Sequence, residues 1–214
     1  MNAIATLLPE SDETTVAVAS VDTPLGVMHV ASLTTGICAA VFDDRREALE
    51  PRLRRVFGAF FGVKTGDPLD VAPRLRAYFQ GALDALRDIP LAVAATPMQR
   101  HVWALVSALP AGKLTTYAAL ADRLGMPRAQ RAVGVCLASN PVPLFIPCHR
   151  VVAASGGLAS HPGGAARKQW LLRHEGALDV ADLTAARTRR ARRTAALDPR
   201  DTVELVALPR VVGS

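Results

Sequence analysis

Cysteine is scarce in this chain: 214 residues hold only three, Cys38, Cys136 and Cys148. An odd number without CxxC spacing argues against a disulfide framework and against a four-cysteine zinc site, and leaves a reactive thiol as the informative alternative. Long apolar runs are missing as well. With no stretch of about 18 apolar residues, no membrane-spanning helix is expected. The opening MNAIATLLPESDE lacks the basic start and apolar run of a secretory signal, so a cytoplasmic location is expected. The third shortage is local. Residues 97–178 carry nine Lys and Arg but only Asp122 and Glu175 as acids, net +7, whereas residues 1–96 carry nine basic and twelve acidic groups, net −3. Residues 179–214 carry seven and five, net +2. A compact unit of +7 attracts polyanions, of which a phosphate backbone is the commonest, although a solvated basic face has the same composition.

What is present reads as an α+β chain in two parts. Residues 16–42 alternate β-branched and small residues around Thr23-Pro24-Leu25-Gly26 and Thr34-Thr35-Gly36, a pattern of short antiparallel strands. Apolar residues at helical spacing predict helices over 49–61 and 75–86, separated by the turn-rich Lys64-Thr65-Gly66-Asp67-Pro68. Thr96-Pro97 is a capped helix start, which puts a boundary near residues 92–96. Beyond it, Val102, Leu105, Val106 and Leu109 form one stripe ended by Pro110-Ala111-Gly112. A helix over 116–124 stops at Gly125, and another is expected to restart after Pro127 and run to Leu137, bearing Arg128 and Arg131. Two short helices joined by a tight glycine turn fit a helix-turn-helix, whose second helix enters a groove of duplex DNA; most helical hairpins, however, bind none.

The chemistry concentrates at Cys148. A thiol attacks as thiolate, and an adjacent imidazole or guanidinium lowers its pKa, so Cys148 beside His149 and Arg150 has the setting of a nucleophile. Cys38 and Cys136 sit in apolar runs without such neighbours and read as small buried hydrophobes.

The run Ile146-Pro147-Cys148-His149-Arg150-Val151-Val152 resembles the O6-alkylguanine-DNA alkyltransferases. The resemblance continues through Thr96-Pro97-Met98-Gln99, Pro110-Ala111-Gly112-Lys113, Thr115-Thr116-Tyr117, Arg131-Ala132-Val133-Gly134, Asn140-Pro141-Val142-Pro143, Gly163-Gly164 and the segment from Lys168 to Glu175. It is looser in the first half, at Thr23-Pro24-Leu25-Gly26 and Tyr78-Phe79-Gln80-Gly81. It implies a small N-terminal ribonuclease-H-like α/β domain (14–92), a C-terminal winged-helix-like helix-turn-helix alkyltransferase domain (96–178) and a basic extension (179–214). The implied activity is single-turnover transfer of an alkyl group from O6-alkylguanine to a protein cysteine, with O4-alkylthymine left open as a second substrate.

By the same resemblance Cys148 is the acceptor, His149 draws off its proton through a water, and Glu175 orients the imidazole. The nucleophile is expected on a strand, where sequence neighbours face opposite ways and His149 need not touch the sulfur. Tyr117 is the donor that stabilises the departing guanine. The target base is rotated out of the duplex. Arg131 fills the gap it leaves, while Ala132 and Gly134 let the helix approach the minor groove closely, with Thr116 and Arg128 beside them. Asn140, Leu137, Val151, His161 and Gly163 line the pocket, Asn140 by tying the turn. The implied partner is double-stranded DNA; no cofactor, metal, membrane or second subunit is expected, so a monomer is.

Two departures stand out. Where the family commonly has a tyrosine shortly before the paired glycines, this chain reads Leu158-Ala159-Ser160-His161-Pro162, and Pro162 offers no N–H to the alkylated oxygen. Some relatives bind zinc in the first domain; Cys38 and His29 are too few here for a structural site. The arginine-rich, alanine-rich stretch at 187–193 reads either as added phosphate contacts or as a solvated extension. Competing functions are a non-catalytic lesion-binding protein of the same fold, a cysteine hydrolase using Cys148 and His149, and a helix-turn-helix regulator.

Overall fold

The computed structural model describes residues 14–43, 46–58, 61–154 and 164–177, and no helix among them is long and apolar enough to cross a membrane. The fold is mixed α+β, with a four-stranded sheet, a two-stranded sheet and six α-helices among the described residues. Among the described residues, those up to Thr96, joined by Pro141–Phe145, form one compact unit; Pro97–Asn140 and residues 146–177 form the other.

In the first unit, β1 (Thr14–Thr23), β2 (Gly26–Leu33) and β3 (Gly36–Phe42) make an antiparallel meander whose reversals fall at the two turns read from the sequence. Thr23 shapes the first turn: its hydroxyl donates to Gly26 O (2.6 Å) and accepts from Leu25 N–H (3.1 Å). Val16, Val18, Ala31 and Val41 pack with Leu49, Leu53 and Phe57 of the helix α1 (Glu50–Phe57) and its preceding 3-10 turn. The sheet order is β3-β2-β1-β4, with β4 at Phe61–Thr65.

Two expectations in this unit are corrected. The helix expected to run to residue 61 ends at Phe57, and Phe61–Thr65, read as part of a helix and a turn, is instead β4, paired in parallel with β1. Tertiary pairing overrides local signal here: Gly62 and Lys64 have little strand preference of their own, but Phe61 packs on the core. The second helix, α2, spans Val71–Phe79 rather than 75–86. It starts a turn early because the Asp67 carboxylate accepts from Val71 N–H (2.7 Å) and Ala72 N–H (2.8 Å).

The second unit comprises α3 (Pro97–Ser107), β5 (Thr115–Thr116), α4 (Tyr117–Arg123), α5 (Gln130–Ala138), β6 (Val151–Val152) and α6 (Gly164–His174). Buried Val102, Trp103 and Val106 present the apolar stripe of α3. Trp103 Nε1–H donates to Cys136 O (2.8 Å), tying α3 to α5. Thr116 caps α4, its hydroxyl accepting from Ala119 N–H (3.1 Å). Helices α2, α4 and α6 all end in the same way. Gly81, Gly125 and Gly176 adopt the left-handed conformation, and the next residue's N–H bonds five residues back: Ala82 to Ala77 O, Met126 to Ala121 O, Ala177 to Leu172 O. The break at Gly81 is why apolar spacing overran the end of α2.

The two short helices read from the sequence on either side of Gly125 are α4 and α5, with one correction. Residues 126–129 form a turn closed by Ala129 N–H to Met126 O (2.8 Å), so α5 begins at Gln130 and Arg128 lies ahead of the helix, not on it.

Candidate active site

Cys148 is not on a strand, contrary to the sequence expectation. Cys148–Arg150 form a 3-10 turn that leads into β6. After proline 147 the chain turns tightly, with Cys148 N–H bonded to Ile146 O (2.8 Å) and Arg150 N–H to Pro147 O (2.9 Å). The parallel register Thr115 with Val151 and Thr116 with Val152 then brings the start of α4, and Tyr117 with it, alongside the turn.

Cys148 is 4% exposed, yet the surroundings of its sulfur are not purely aliphatic. Asn140 Nδ2 donates to Sγ (3.3 Å) and to Ile146 O (2.9 Å), so one buried amide holds both the nucleophile and the turn before it. Burial pushes the Cys148 thiol up, while the Asn140 hydrogen bond and the Lys168 charge act in the opposite direction. Tyr117 is half-buried; burial first, and then the charge of Cys148, push its phenol up, so the hydroxyl keeps its proton and remains a donor.

His149 and Arg150 point elsewhere. The reading that they lower the thiol's pKa by adjacency is overturned, because both bind Glu175. His149 Nε2 lies 2.9 Å from Glu175 Oε1; Arg150 donates through Nε to Oε2 (2.9 Å) and through Nη2 to Oε1 (2.8 Å), and its Nη1 donates to Leu109 O. Burial pulls the Glu175 carboxyl up, but the hydrogen bonds and charges of His149 and Arg150 outweigh it and hold the group well below the usual carboxylate range. An ionised carboxylate only accepts, so His149 Nε2 carries the hydrogen and Nδ1 is the basic nitrogen. Burial, with the Arg150 and Lys168 charges, lowers the imidazole's pKa against the pull of Glu175, so His149 rests neutral.

Glu175 owes its place to two local devices. It is the last residue before left-handed Gly176, at the end of α6. Gly112, also left-handed (φ 76°), lies so close that a Cβ there would be 2.8 Å from Glu175 O. The Pro110-Ala111-Gly112 turn thus seats against the carboxylate's own backbone.

Lys168 is the group that sequence reasoning missed. It was noted only as the start of a matching segment, yet its side chain is 0% exposed and its Nζ donates to Val151 O (2.5 Å). Only its helical register on α6, with buried Leu171 and Leu172, hinted that it faces inward.

Residues 97–177 match the family model described as "6-O-methylguanine DNA methyltransferase, DNA binding domain". A methylated-DNA–protein-cysteine methyltransferase of Salmonella typhimurium is 42% identical over 159 residues, covering 73% of this chain and 93% of that protein. The chain belongs to the methylated-DNA–protein-cysteine methyltransferase family. A relative of the same name from Mycobacterium tuberculosis is 34% identical over 168 residues, 77% of this chain and 95% of that protein. Among solved structures, the Mycobacterium tuberculosis O6-methylguanine methyltransferase superposes with a TM-score of 0.62 at 31% identity, covering 75% of this chain and 93% of that one. The Mycobacterium tuberculosis OGT in complex with DNA gives 0.62 at 29% identity, with coverages of 80% and 99%.

Against that family, the remaining candidate residues lie as follows. Arg131 is exposed on the first turn of α5 and Arg128 is exposed just before it; Thr116, Ala132 and Gly134 are half-buried. Gly134 faces the Tyr117 ring, which a Cβ there would meet at 3.8 Å. Leu137 and Val151 are buried. His161, Gly163 and the basic extension lie outside the described residues. Cys38 donates to Ala31 O (3.3 Å) and burial pushes its thiol up to about 12, while His29 Nδ1 lies 2.8 Å from Ser20 Oγ. Cys136 is buried and its thiol is likewise pushed up by burial. Among the described residues, Asn140 and Lys168 give the Cys148 sulfur a side-chain hydrogen bond and a neighbouring cation that act on neither Cys38 nor Cys136.

Proposed function

We propose that this chain repairs alkylated duplex DNA directly, moving the alkyl group of O6-alkylguanine irreversibly onto Cys148 Sγ. The observation that carries this reading is the sulfur itself, held by the Asn140 amide and followed in the chain by a neutral imidazole whose Nε2 is bound by Glu175, leaving Nδ1 as its basic nitrogen. Cys148 loses its proton through a bridging water to His149 Nδ1, and Glu175 accepts from Nε2 throughout. The thiolate attacks the alkyl carbon, forming the C–S bond as the C–O bond breaks. The Tyr117 hydroxyl donates to the departing guanine as negative charge develops there, and the guanine regains a proton equivalent to the one the thiol gave up. No group returns the thioether to a thiol, so each molecule acts once.

DNA docks through α5 in the minor groove. Arg131 occupies the space of the everted base, Ala132 and Gly134 allow close approach, and Thr116 and Arg128 flank the contact. Leu137, Asn140 and Val151 line the base pocket. The first unit corresponds to a ribonuclease-H-like domain at 14–92 and the second to a winged-helix-like domain at 96–178, acting as a cytoplasmic monomer with 179–214 as an extension. Incubation with a duplex carrying labelled O6-methylguanine tests the reading. Label moves to protein, stops at one equivalent, and is lost in Cys148→Ala. Continued turnover favours a cysteine hydrolase, and tight binding without transfer a lesion-binding protein.

A further inference from the structure

Lys168 is an ammonium sealed from solvent with one hydrogen-bond acceptor, Val151 O, and no carboxylate partner among the described residues. Burying an unpaired charge is costly, so such a cation ordinarily has an anion near it or gives up its proton. The other charged and titratable groups around the site do not supply that anion. Glu175 is committed to Arg150 and His149, His149 is neutral, and the Tyr117 phenol keeps its proton. Val151 lies three residues past Cys148, so the bond from Nζ to Val151 O anchors the ammonium to the segment that carries the nucleophile. Burial lowers the Lys168 pKa to about 8, and the Cys148 charge acts to raise it. Reciprocally, while His149 is neutral, the charge of Lys168 is the one among the described residues that favours the Cys148 thiolate.

We infer that Lys168 is the positioning counter-ion of the Cys148 thiolate, a role that neither the adjacent His149 nor Arg150 fills. Its anchored, desolvated charge stabilises the anion once the thiol proton has left, and it takes no part in moving that proton. Alkylation turns the thiolate into a neutral thioether and leaves the ammonium without a partner. The inference concerns the thiol's ionisation alone. It rests on the proposed role of Cys148 as acceptor, but its test needs no DNA.

The test is the pH profile of Cys148 carboxamidomethylation by iodoacetamide, read by mass, in the wild type, Lys168→Met and Lys168→Arg. An opposite charge close to a thiolate shifts its apparent pKa by about one to two units. The Lys168→Met profile therefore moves up by that amount, with a loss of roughly tenfold to hundredfold below both midpoints and recovery at high pH. Lys168→Arg keeps the wild-type midpoint. An unshifted Lys168→Met midpoint, even with a lower rate throughout, overturns the assignment. Should neither variant fold, the wild type decides: the Lys168 side-chain amine, followed by NMR, titrates at lower pH after Cys148 is carboxamidomethylated. An unchanged amine titration overturns the assignment equally. If iodoacetamide gives the expected shift while alkylated DNA transfers nothing, the repair reading fails and the counter-ion stands.

Discussion

Glu175→Gln is the substitution whose cost the structure defines best. The side chain of Glu175 is buried and accepts three hydrogen bonds: one from His149 Nε2 (2.9 Å) and two from Arg150 (2.9 and 2.8 Å). The neutral amide keeps the shape but places an NH2 where one of these donors points, and leaves the Arg150 guanidinium, buried against Leu109 O, without its anion. Breaking one partner of a buried ion pair costs about 3–5 kcal/mol, out of a total stability of about 5–15 kcal/mol. At about 2–4 °C per kcal/mol for a chain of this size, the midpoint of thermal unfolding falls by roughly 10 °C. Because much of the cost is the stranded charge, Glu175→Gln combined with Arg150→Met is more stable than Glu175→Gln alone, with a coupling of about 1–3 kcal/mol in urea titrations. The acid limb gives a second reading. The carboxyl's pKa is depressed in the folded chain, so its contribution is complete above the unfolded-state value of about 4.3 and is lost as the pH falls below it. The wild type's advantage over Glu175→Gln therefore narrows in acid. Simple additivity of the two substitutions, or a midpoint within about 2 °C of the wild type, would falsify the view that Glu175 anchors a buried charge cluster.

Three further outcomes are expected. Arg131→Ala weakens repair of duplex DNA far more than reaction with free O6-benzylguanine, since only the duplex needs an everted base; equal losses in the two assays remove the gap-filling role. Gly112→Ala combines a left-handed residue with a Cβ 2.8 Å from Glu175 O, so it costs at least about 1–2 kcal/mol in chemical denaturation and slows alkylation by displacing Glu175. Gly134→Ala meets the Tyr117 ring only at ordinary contact distance and replaces a helix-interior glycine. It therefore raises stability by about 0.5–1 kcal/mol while weakening duplex binding, and unaltered affinity in a DNA titration excludes close approach at that residue.

Much of the architecture was legible before the structure because the informative residues act locally. Thr23-Pro24-Leu25-Gly26 closes its own turn, Thr116 caps its own helix, and Gly125 ends it. β4 was not legible, because nothing in Phe61-Gly62-Val63-Lys64-Thr65 signals that β1 lies alongside. The start of α5 was missed because Pro127 permits either a helix or a turn after it, and the bond from Ala129 N–H to Met126 O selects the turn. At the site, Cys148, His149 and Glu175 stood out by pattern, but adjacency in sequence says nothing about direction. In the 3-10 turn His149 and Arg150 swing toward Glu175, and the charge that acts on the sulfur comes from Lys168 on α6. That pairing depends on how α6 packs against the turn, which local pattern does not record.

The most direct test of the account is the mass of the intact protein, and of its Cys148 peptide, after exposure to excess duplex DNA bearing O6-methylguanine. The account predicts a gain of one methyl group per chain, confined to Cys148, with an equal quantity of lesion restored to guanine. An unchanged mass, a methyl group on Cys38 or Cys136, or restoration of more lesion than protein would contradict it.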